Sequence, residues 1–591
     1  MTTPLSALSG HVIVCGLGGL GVRIVEQLHL SGSEAVVVAE DAEAGRAAGL
    51  SNWGVEHVIG SGRNAHTLLE AGIGRAGALI CVEQNDLHAL ETVLAAHDLR
   101  ADLRIVVQMA NAGVGRAVTE ITGPGTVLDV AGLAAPSIVD VCTRTDIHQL
   151  ELGGRPFVIV DQPSPRAGTL RSVFGDLAPL AVVSEAHGVE ICPGRDTEVE
   201  KGDRVTVIAT PAEMEVVGLP TSAEHARPWW GVRAVDWSRR IVRSTWDLAD
   251  RPLKINLAVL VAVVLVGFAI IAVWFHPAPG HHLSLIAALY FTVETVTTIG
   301  YGDYSFAGQS AALQIFATVF FIVSITLVTS GFAFFTNLLL SRRISEAFGK
   351  QRATRMEGHT VVIGLGEVGV RVVRALRASG GRAVVIERDE NNRHLAQAEA
   401  LGVPIIRGNA TLVETLEAAN VASAAAVAVL TSDDLTNVET GLAVRDYLGQ
   451  RRDEVPLVLR IFDRTLGRRV GESFRFHEVR STSALAAPWF VGAALGLDVL
   501  ATFYVERELL LVARLTVAPS GGLAGVAMRE LSAKIRVVAL SRAAEHGRLE
   551  HPPRRDTQFA PGDQAYLIGP YDDLLVVLRR DAAANIEAAN P

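Results

Sequence analysis

Two stretches of the chain carry no charged side chain: residues 255–275, 21 positions long, and residues 311–340, 30 positions long. About 20 consecutive apolar residues suffice for a helix to cross the hydrocarbon of a bilayer. The first stretch is therefore predicted as a membrane helix over 255–275, with Trp274 at its outer end. The second, as a helix over 311–340, would reach about 45 Å and overrun the bilayer. Gly331 is its best hinge candidate, although close helix packing is an equal reading of that glycine. Between the two, residues 285–297 are apolar but too short to span, so they are predicted to enter the membrane and turn back into a loop that ends at 303. Non-helical backbone at that depth needs protein or a water-filled cavity around it. One copy cannot enclose its own loop, so oligomerisation follows.

On both sides of this module the pattern changes to short apolar runs separated by segments of helical period. Residues 11–15, 35–38, 78–82 and 105–107 read as buried strands, and residues 22–30 as a helix. Continuous apolar strands with helical crossovers imply a parallel sheet covered on both faces. The same pattern recurs 348 residues later without a gap over about a hundred residues. Gly16-Leu17-Gly18-Gly19-Leu20-Gly21 falls on Gly364-Leu365-Gly366-Glu367-Val368-Gly369, and Asp86-Leu87 falls on Asp434-Leu435. The chain thus holds two copies of one Rossmann-like α/β unit, over 1–147 and 356–500. Each copy is followed by a smaller β-rich segment, 148–220 and 507–582, that closes on Gly-Asp and an alternating strand. The expected fold is multidomain: an all-α membrane module of two helices between two Rossmann-like units, each with a small α+β lobe.

A G-x-G-x-x-G turn between strand and helix is the dinucleotide-binding fingerprint. Its glycines let the backbone approach a pyrophosphate, whose charge the helix N-terminus stabilises. The candidate nucleotide contacts are Gly16, Gly18 and Gly21 in copy one and Gly364, Gly366 and Gly369 in copy two. A ribose needs an acidic acceptor at the end of the second strand. Copy two supplies Glu387, eighteen residues beyond Gly369, followed by Arg388. Copy one has Ala39 there, with Glu40 one step later and turned elsewhere if the strand continues. Copy two is therefore expected to bind before copy one. Glu367 inside the second turn would repel a pyrophosphate unless it faces solvent or a cation accompanies the ligand. Asp389 and Glu390 could join Glu387 around Ca2+ or another divalent cation.

The net charge of −10 argues against nucleic acid as a partner. Cys15, Cys81, Cys142 and Cys192 lack metal-ligand spacing and read as buried thiols of a reducing compartment. No signal peptide is expected at the N-terminus, because no basic region precedes an apolar core. Residues 228–254 join Trp229, Trp230, Trp237 and Trp246 to Arg233, Arg239, Arg240 and Arg243, the composition of an amphipathic helix lying on the inner leaflet. Residues 229–254 hold six Lys or Arg and residues 341–355 five, against none in 276–284 and 304–310. The positive-inside rule then makes the chain a multi-pass protein of the cell membrane with both termini cytoplasmic.

The loop between the apolar runs carries the sharpest chemistry. Glycines alternate in Thr298-Ile299-Gly300-Tyr301-Gly302. Four copies on an axis could turn the carbonyls of Thr298, Ile299, Gly300 and Tyr301 inward, in place of the water around a dehydrated K+. This resembles the Thr-Val-Gly-Tyr-Gly selectivity filter of potassium channels. The resemblance extends to Val293-Glu294-Thr295 and to Asp303, and implies that Glu294 and Asp303 bridge behind the filter, with Thr297 beside them. Tyr290 and Phe291 stand where such channels often carry paired Trp, so a looser aromatic cuff is expected.

The soluble copies resemble the regulator-of-potassium-conductance (RCK) domain, also found in Trk-type transport subunits. The resembling residues are the glycine turns, Glu387 with Asp389, Gly408-Asn409-Ala410, and Asp433-Asp434 with Asn437. Ser61 and Asn409 stand where the family usually has an acid. Together the resemblances imply a homotetrameric K+ channel whose eight RCK units form a cytoplasmic ring responding to NAD(H), ATP, ADP or a cation. The alternatives are a membrane-tethered NAD-dependent oxidoreductase and a regulatory subunit of a K+ transporter. The first needs an acid/base constellation that His29, His66 and His88 do not form, so no enzyme is expected.

Overall fold

Every position of Val12–Cys15 is apolar and buried, so this strand has no face for water and must lie inside a sheet. It does. The structure, a computed structural model, describes residues 8–41, 49–220, 251–277, 283–340 and 353–588, apart from residues 145–146, 185, 463, 475, 477, 507, 546 and 555. The expected interfacial helix over 228–246 and the basic residues of 341–352 lie outside the described residues. The strands β1 (Val12–Cys15), β2 (Ala35–Ala39), β3 (Glu56–Ile59), β4 (Ala78–Cys81), β5 (Arg104–Gln108) and β6 (Val127–Leu128) pair in parallel in the order β3-β2-β1-β4-β5-β6. Helix α1 (Gly19–Ser31) starts at Gly18 and stops at Gly32, whose φ of 63° is the left-handed cap that glycine accepts without cost. The last helix of this copy is α2 (Val130–Thr143).

The first small lobe follows as β7 (Ile147–Leu152), β8 (Arg155–Pro163), β9 (Gly168–Thr169), β10 (Ala178–Ser184), β11 (Gly188–Ile191), β12 (Glu198–Val199) and β13 (Arg204–Ala209). Five of these form an antiparallel sheet in the order β7-β8-β13-β10-β11.

Residues 227–352 form a separate compact unit. Among its described residues the helices are α3 (Arg251–Trp274), α4 (Leu285–Val296) and α5 (Ala311–Leu340). Among the described residues two helices are long and apolar enough to cross a membrane, over Lys254–Trp274 and Ala311–Phe334, while α4 is not. Gly267 allows α3 to approach α5, since a Cβ there would lie 2.5 Å from the Phe320 ring. Lower down, Asn256 of α3 donates to Ser330 Oγ at 2.6 Å. A Cβ at Gly331 would come within 3.2 Å of Asn256 Oδ1, so that glycine serves close helix packing within an unbroken α5. Phe275, Phe291, Tyr304 and Phe306 stack together, with Phe291 5.1 Å from both Phe275 and Phe306.

Copy two repeats copy one: β14 (Thr360–Ile363), β15 (Ala383–Glu387), β16 (Ile405–Arg407), β17 (Ala426–Val429), β18 (Leu457–Arg460) and β19 (Glu478–Arg480) take the order β16-β15-β14-β17-β18-β19. Its helices include α6 (Glu367–Ala378) after the glycine turn and α7 (Thr482–Leu495) at the end. The second small lobe, β20 (Leu497–Val505), β21 (Glu508–Thr516), β22 (Arg536–Arg542), β23 (Arg548–Glu550) and β24 (Gln564–Pro570), has the order β20-β21-β24-β22-β23, the strand order of the first lobe.

The two copies, with their lobes, make one compact unit by exchanging their last helices. Ala131, Ala135 and Ile138 of α2 pack into a cluster with Val368, Val372 and Val373 of copy two. Reciprocally, Ala486, Ala487, Phe490 and Val491 of α7 join Ile24, Val25 and Leu28 of copy one. Neither copy completes its core alone. Phe490 is fully buried in that joint. Phe490→Ala should cost about 3–5 kcal/mol and lower the urea midpoint of this two-copy α/β unit, read by circular dichroism, while the apolar helices α3 and α5 persist. The small lobes also meet, with Phe157 and Ile159 against Leu510, Val512 and Tyr566. Arg536 locks them by donating to Pro193 O at 2.7 Å. All four cysteines are free and buried.

Candidate pore loop and nucleotide clefts

Helix α4 ends at Thr297, and the chain then enters the loop with φ of 60° at Thr298, 58° at Gly300 and 85° at Gly302. Ile299 and Tyr301 between them are not in the left-handed region. Positive and negative φ therefore alternate from Thr298 to Gly302. The loop stays close to the end of α4, because Ile299 N donates to Glu294 O at 3.1 Å and Thr298 N to Thr295 O at 3.2 Å. Thr297 Oγ1 turns back onto Val293 O at 2.8 Å.

Glu294 is 5 % exposed, and its Oε1 accepts the backbone N–H of Tyr301. The carboxylate thus braces the middle of the loop from behind. The expected bridge to Asp303 is not made. Asp303 Oδ2 instead accepts from the Tyr290 hydroxyl at 3.3 Å. The reason is position on the helix: Tyr290 lies one turn before Glu294, and Glu294 spends an oxygen on the nearer backbone donor. Tyr290 thus donates its hydroxyl to Asp303, and Phe291 enters the aromatic cluster with Phe275, Tyr304 and Phe306. Ile299 and Tyr301 are 56 % and 69 % exposed in the single chain.

In copy one the loops after β1, β2, β3 and β4 enclose a cavity of about 390 Å3 lined by Gly16, Gly18, Glu40, Ser61, Glu83 and His88. A Cβ on Gly21 would lie 2.1 Å from Gly16 O, so the third glycine is what lets α1 sit against the turn. No acidic residue stands in the first turn of α1, leaving its N-terminus free for an anion. Glu40 pairs with Arg63 at 2.8 Å, and that hydrogen bond holds its carboxyl below the usual range. Burial pushes Glu83 up, against a hydrogen bond from Thr92 Oγ1 at 3.2 Å.

Copy two is arranged otherwise. Gly369 meets Gly364 O in the same way, at 2.2 Å from a would-be Cβ. Gly366 caps α6 as Gly18 caps α1. Glu387, however, is occupied by its own chain. Its Oε2 accepts from Leu365 N at 2.7 Å and Asn392 Nδ2 at 3.0 Å, and its Oε1 from Arg388 N at 2.7 Å and Asp389 N at 2.8 Å. The carboxylate expected to take a ribose instead holds the glycine turn in place. Arg388 contributes its backbone, and its side chain is exposed. Glu367 does not face solvent alone: Arg393 donates to it and His394 Nε2 lies 3.4 Å away. Asn409 Oδ1 accepts from Thr411 N at 3.1 Å, and Ala410 is buried in the core. Among the described residues no group of three His, Cys, Asp or Glu is placed to hold a metal ion, so Glu387, Asp389 and Glu390 form no divalent site. Sequence reading missed Asn392 as the partner that closes this turn. An Asn five residues beyond the strand-end acid is too ordinary a signal to be read alone.

Comparison with known proteins follows the same division. The TrkA-N domain model matches residues 12–121 and 360–463, and the TrkA-C domain model residues 512–580. The Ion channel model matches residues 258–341. The chain joins an ion-channel domain to TrkA-type regulatory domains. Its potassium-channel relatives include the voltage-gated potassium channel Kch of Escherichia coli (strain K12), 26 % identical over 183 residues, 30 % of this chain and 42 % of Kch. The putative potassium channel protein YugO of Bacillus subtilis (strain 168) is 28 % identical over 204 residues, 33 % of this chain and 59 % of YugO. An uncharacterized protein of Methanothermus fervidus is 29 % identical over 168 residues, 27 % of this chain and 25 % of its own length. The chain thus spans a quarter to three fifths of the length of these three. Kch and YugO are named as channels, not enzymes. The solved GsuK channel shares the fold, with a TM-score of 0.50 at 15 % identity over 98 % of this chain and 80 % of that one.

Proposed function

We propose that the chain is one subunit of a homotetrameric, potassium-selective channel of the cell membrane, gated by an adenine nucleotide held in its regulatory units. The observation that carries the reading is the positive φ at every second residue, Thr298, Gly300 and Gly302, in a loop braced by Glu294 and set between two membrane-length helices. Positive φ at alternate positions is a backbone pattern by which a loop can turn the carbonyls of Thr298, Ile299, Gly300 and Tyr301 to one side. Rings of such oxygens can replace the hydration shell of K+. One copy supplies only a quarter of each ring, and the exposed Ile299 and Tyr301 supply the surface on which copies meet.

The Lys and Arg of residues 229–254 and 341–355 support a cytoplasmic side for both regulatory units and both termini. Four chains bring eight units, enough for a ring. The glycine turns of both copies have the nucleotide-binding form, and the open cleft of copy one is the better receptor, with its free α1 N-terminus and its cavity of about 390 Å3. A nucleotide moves the pore equilibrium only by its differential affinity for the open and closed rings. The test is potassium flux from liposomes holding the purified chain, with NAD, NADH, ATP or ADP added in turn. At least one should change the flux and show calorimetric binding. Flux that ignores all four, with no binding, would remove the nucleotide from the account and leave the pore.

A further inference from the structure

Beyond the C-terminal turn of α2 a cavity of about 400 Å3 opens inside the regulatory unit. One wall is a single sheet face: His148 of β7 pairs with Ile159 of β8, and Asp161 of β8 with Thr206 of β13. Side chains two apart on a strand share a face, so Ile159 stands with Asp161 and Thr206 with Arg204. The facing wall is Asp140 and Arg144 from α2, Glu478 and Arg480 from β19, and Tyr504 and Glu506 at the end of β20.

Most of these charges have a permanent counter-charge. Asp161 accepts from Arg204 at 2.8 Å, and Arg480 lies 2.6 Å from Glu478 and over the Tyr504 ring. Arg144 donates to the Glu454 carbonyl. Among the described residues, the one ion-pair partner of Asp140 is His148, whose Nδ1 lies 3.5 Å from its Oδ2. Burial pushes the Asp140 carboxyl up to about 6, with His148 and then Arg480 pulling it down. Thr206 is 2 % exposed and its hydroxyl has no partner, nor has the buried second oxygen of Asp161. The duplicate helix shows that the fold does not require this cluster. Leu133-Ala134-Ala135-Pro136 of α2 falls on Leu485-Ala486-Ala487-Pro488 of α7, which puts Gly492 at the place of Asp140 and Gly496 at that of Arg144.

We propose that this cavity is a proton-binding site, in which one proton taken up by Asp140, beside His148, draws α2 and the first small lobe onto copy two, and its loss loosens that contact. Without the proton, the partly buried Asp140 carboxylate shares its cavity with Asp161, Glu478 and Glu506. With it, Asp140 is a neutral acid, which is cheaper to hold there. Helix α2 is the one by which copy one holds α6, so its last turn is where such a change reaches copy two. The inference concerns the regulatory unit and stands whether or not the pore conducts K+.

The sign follows from linkage. Loosened and solvated, Asp140 returns to the ordinary carboxyl value of 3.8, whereas closed it binds its proton at about 6. The closed contact therefore gains as pH falls through 6 and gains no more below the ordinary value. From pH 7.5 to 5.5 the gain is about fourfold. Hydrogen exchange of the full chain in lipid nanodiscs, corrected for intrinsic rates, should show that rise in protection for peptides spanning the end of α2 and β7. Asp140→Asn should hold protection constant between the two pH values. His148→Gln should keep the response and move its midpoint up, since His148 lowers the Asp140 carboxyl; this variant decides the matter if Asp140→Asn does not fold. Asp161→Asn should respond as the native chain does. No response in the native chain, an undiminished response in Asp140→Asn, or an unmoved midpoint in His148→Gln would overturn the proposal.

Discussion

Gly300→Ala should leave a folded tetramer that no longer prefers K+ over Na+ in liposome flux. Gly300 sits at φ of 58°, and a Cβ there meets nothing within 4 Å in the single chain, so the cost is backbone strain and not a clash. A side chain in the left-handed region costs about 1–2 kcal/mol per residue. Four copies multiply that cost around one ring. The cheaper course is for the peptide to rotate, which takes a carbonyl out of the ring and leaves the ion partly unsolvated. Thr298 holds the same conformation, at φ of 60°, with its side chain kept. Thr298→Gly should accordingly be tolerated by the backbone and lose only the hydroxyl ring. Unchanged K+ preference in Gly300→Ala would mean that the loop lies off the ion path.

Gly21→Ala should abolish nucleotide binding to the purified chain and lower its unfolding temperature. The new Cβ would lie 2.1 Å from Gly16 O and 3.3 Å from Val82 Cγ2. These are backbone and core atoms, so α1 must lift off the turn that would hold a pyrophosphate. Overpacking of this kind costs about 1–3 kcal/mol, and it would be felt through Ile24, Val25 and Leu28 in the joint with α7. Gly369→Ala makes the matching clash in copy two, 2.2 Å from Gly364 O. It should destabilise the unit by a similar amount and spare binding, because Glu387 there already holds its own chain. Calorimetric titration of both variants with NAD, ADP and ATP separates the two clefts. Binding lost in Gly369→Ala and kept in Gly21→Ala would assign the nucleotide to copy two.

Much of this architecture is legible in the sequence because it rests on short-range rules. A four-residue run such as Val12–Cys15 can only be a buried strand, and a charge-free run of 21 residues can cross a bilayer. Duplication needs only a fixed offset. The exchange of α2 and α7 was not legible, since an apolar helix face does not name its partner and each would fit either copy. Glu294 and Asp303 show the same limit at the scale of one bond. Their proximity was readable from spacing, but the choice of Tyr301 N–H and Tyr290 O–H as partners depends on how the loop turns. Glu387 was chosen for its place at a strand end, and the four donors that fill it arrive from a loop whose course no local pattern fixes. The Asp140 cavity draws on six separate strands and helices, so no stretch of sequence announces it.

Planar-bilayer recording of the purified chain, with K+ on one side and Na+ on the other, tests the central claim most directly. The account predicts a zero-current potential displaced far toward the K+ equilibrium value, and its collapse in Gly300→Ala. A zero-current potential that does not distinguish the two ions, in a protein shown to be a folded tetramer, would contradict it.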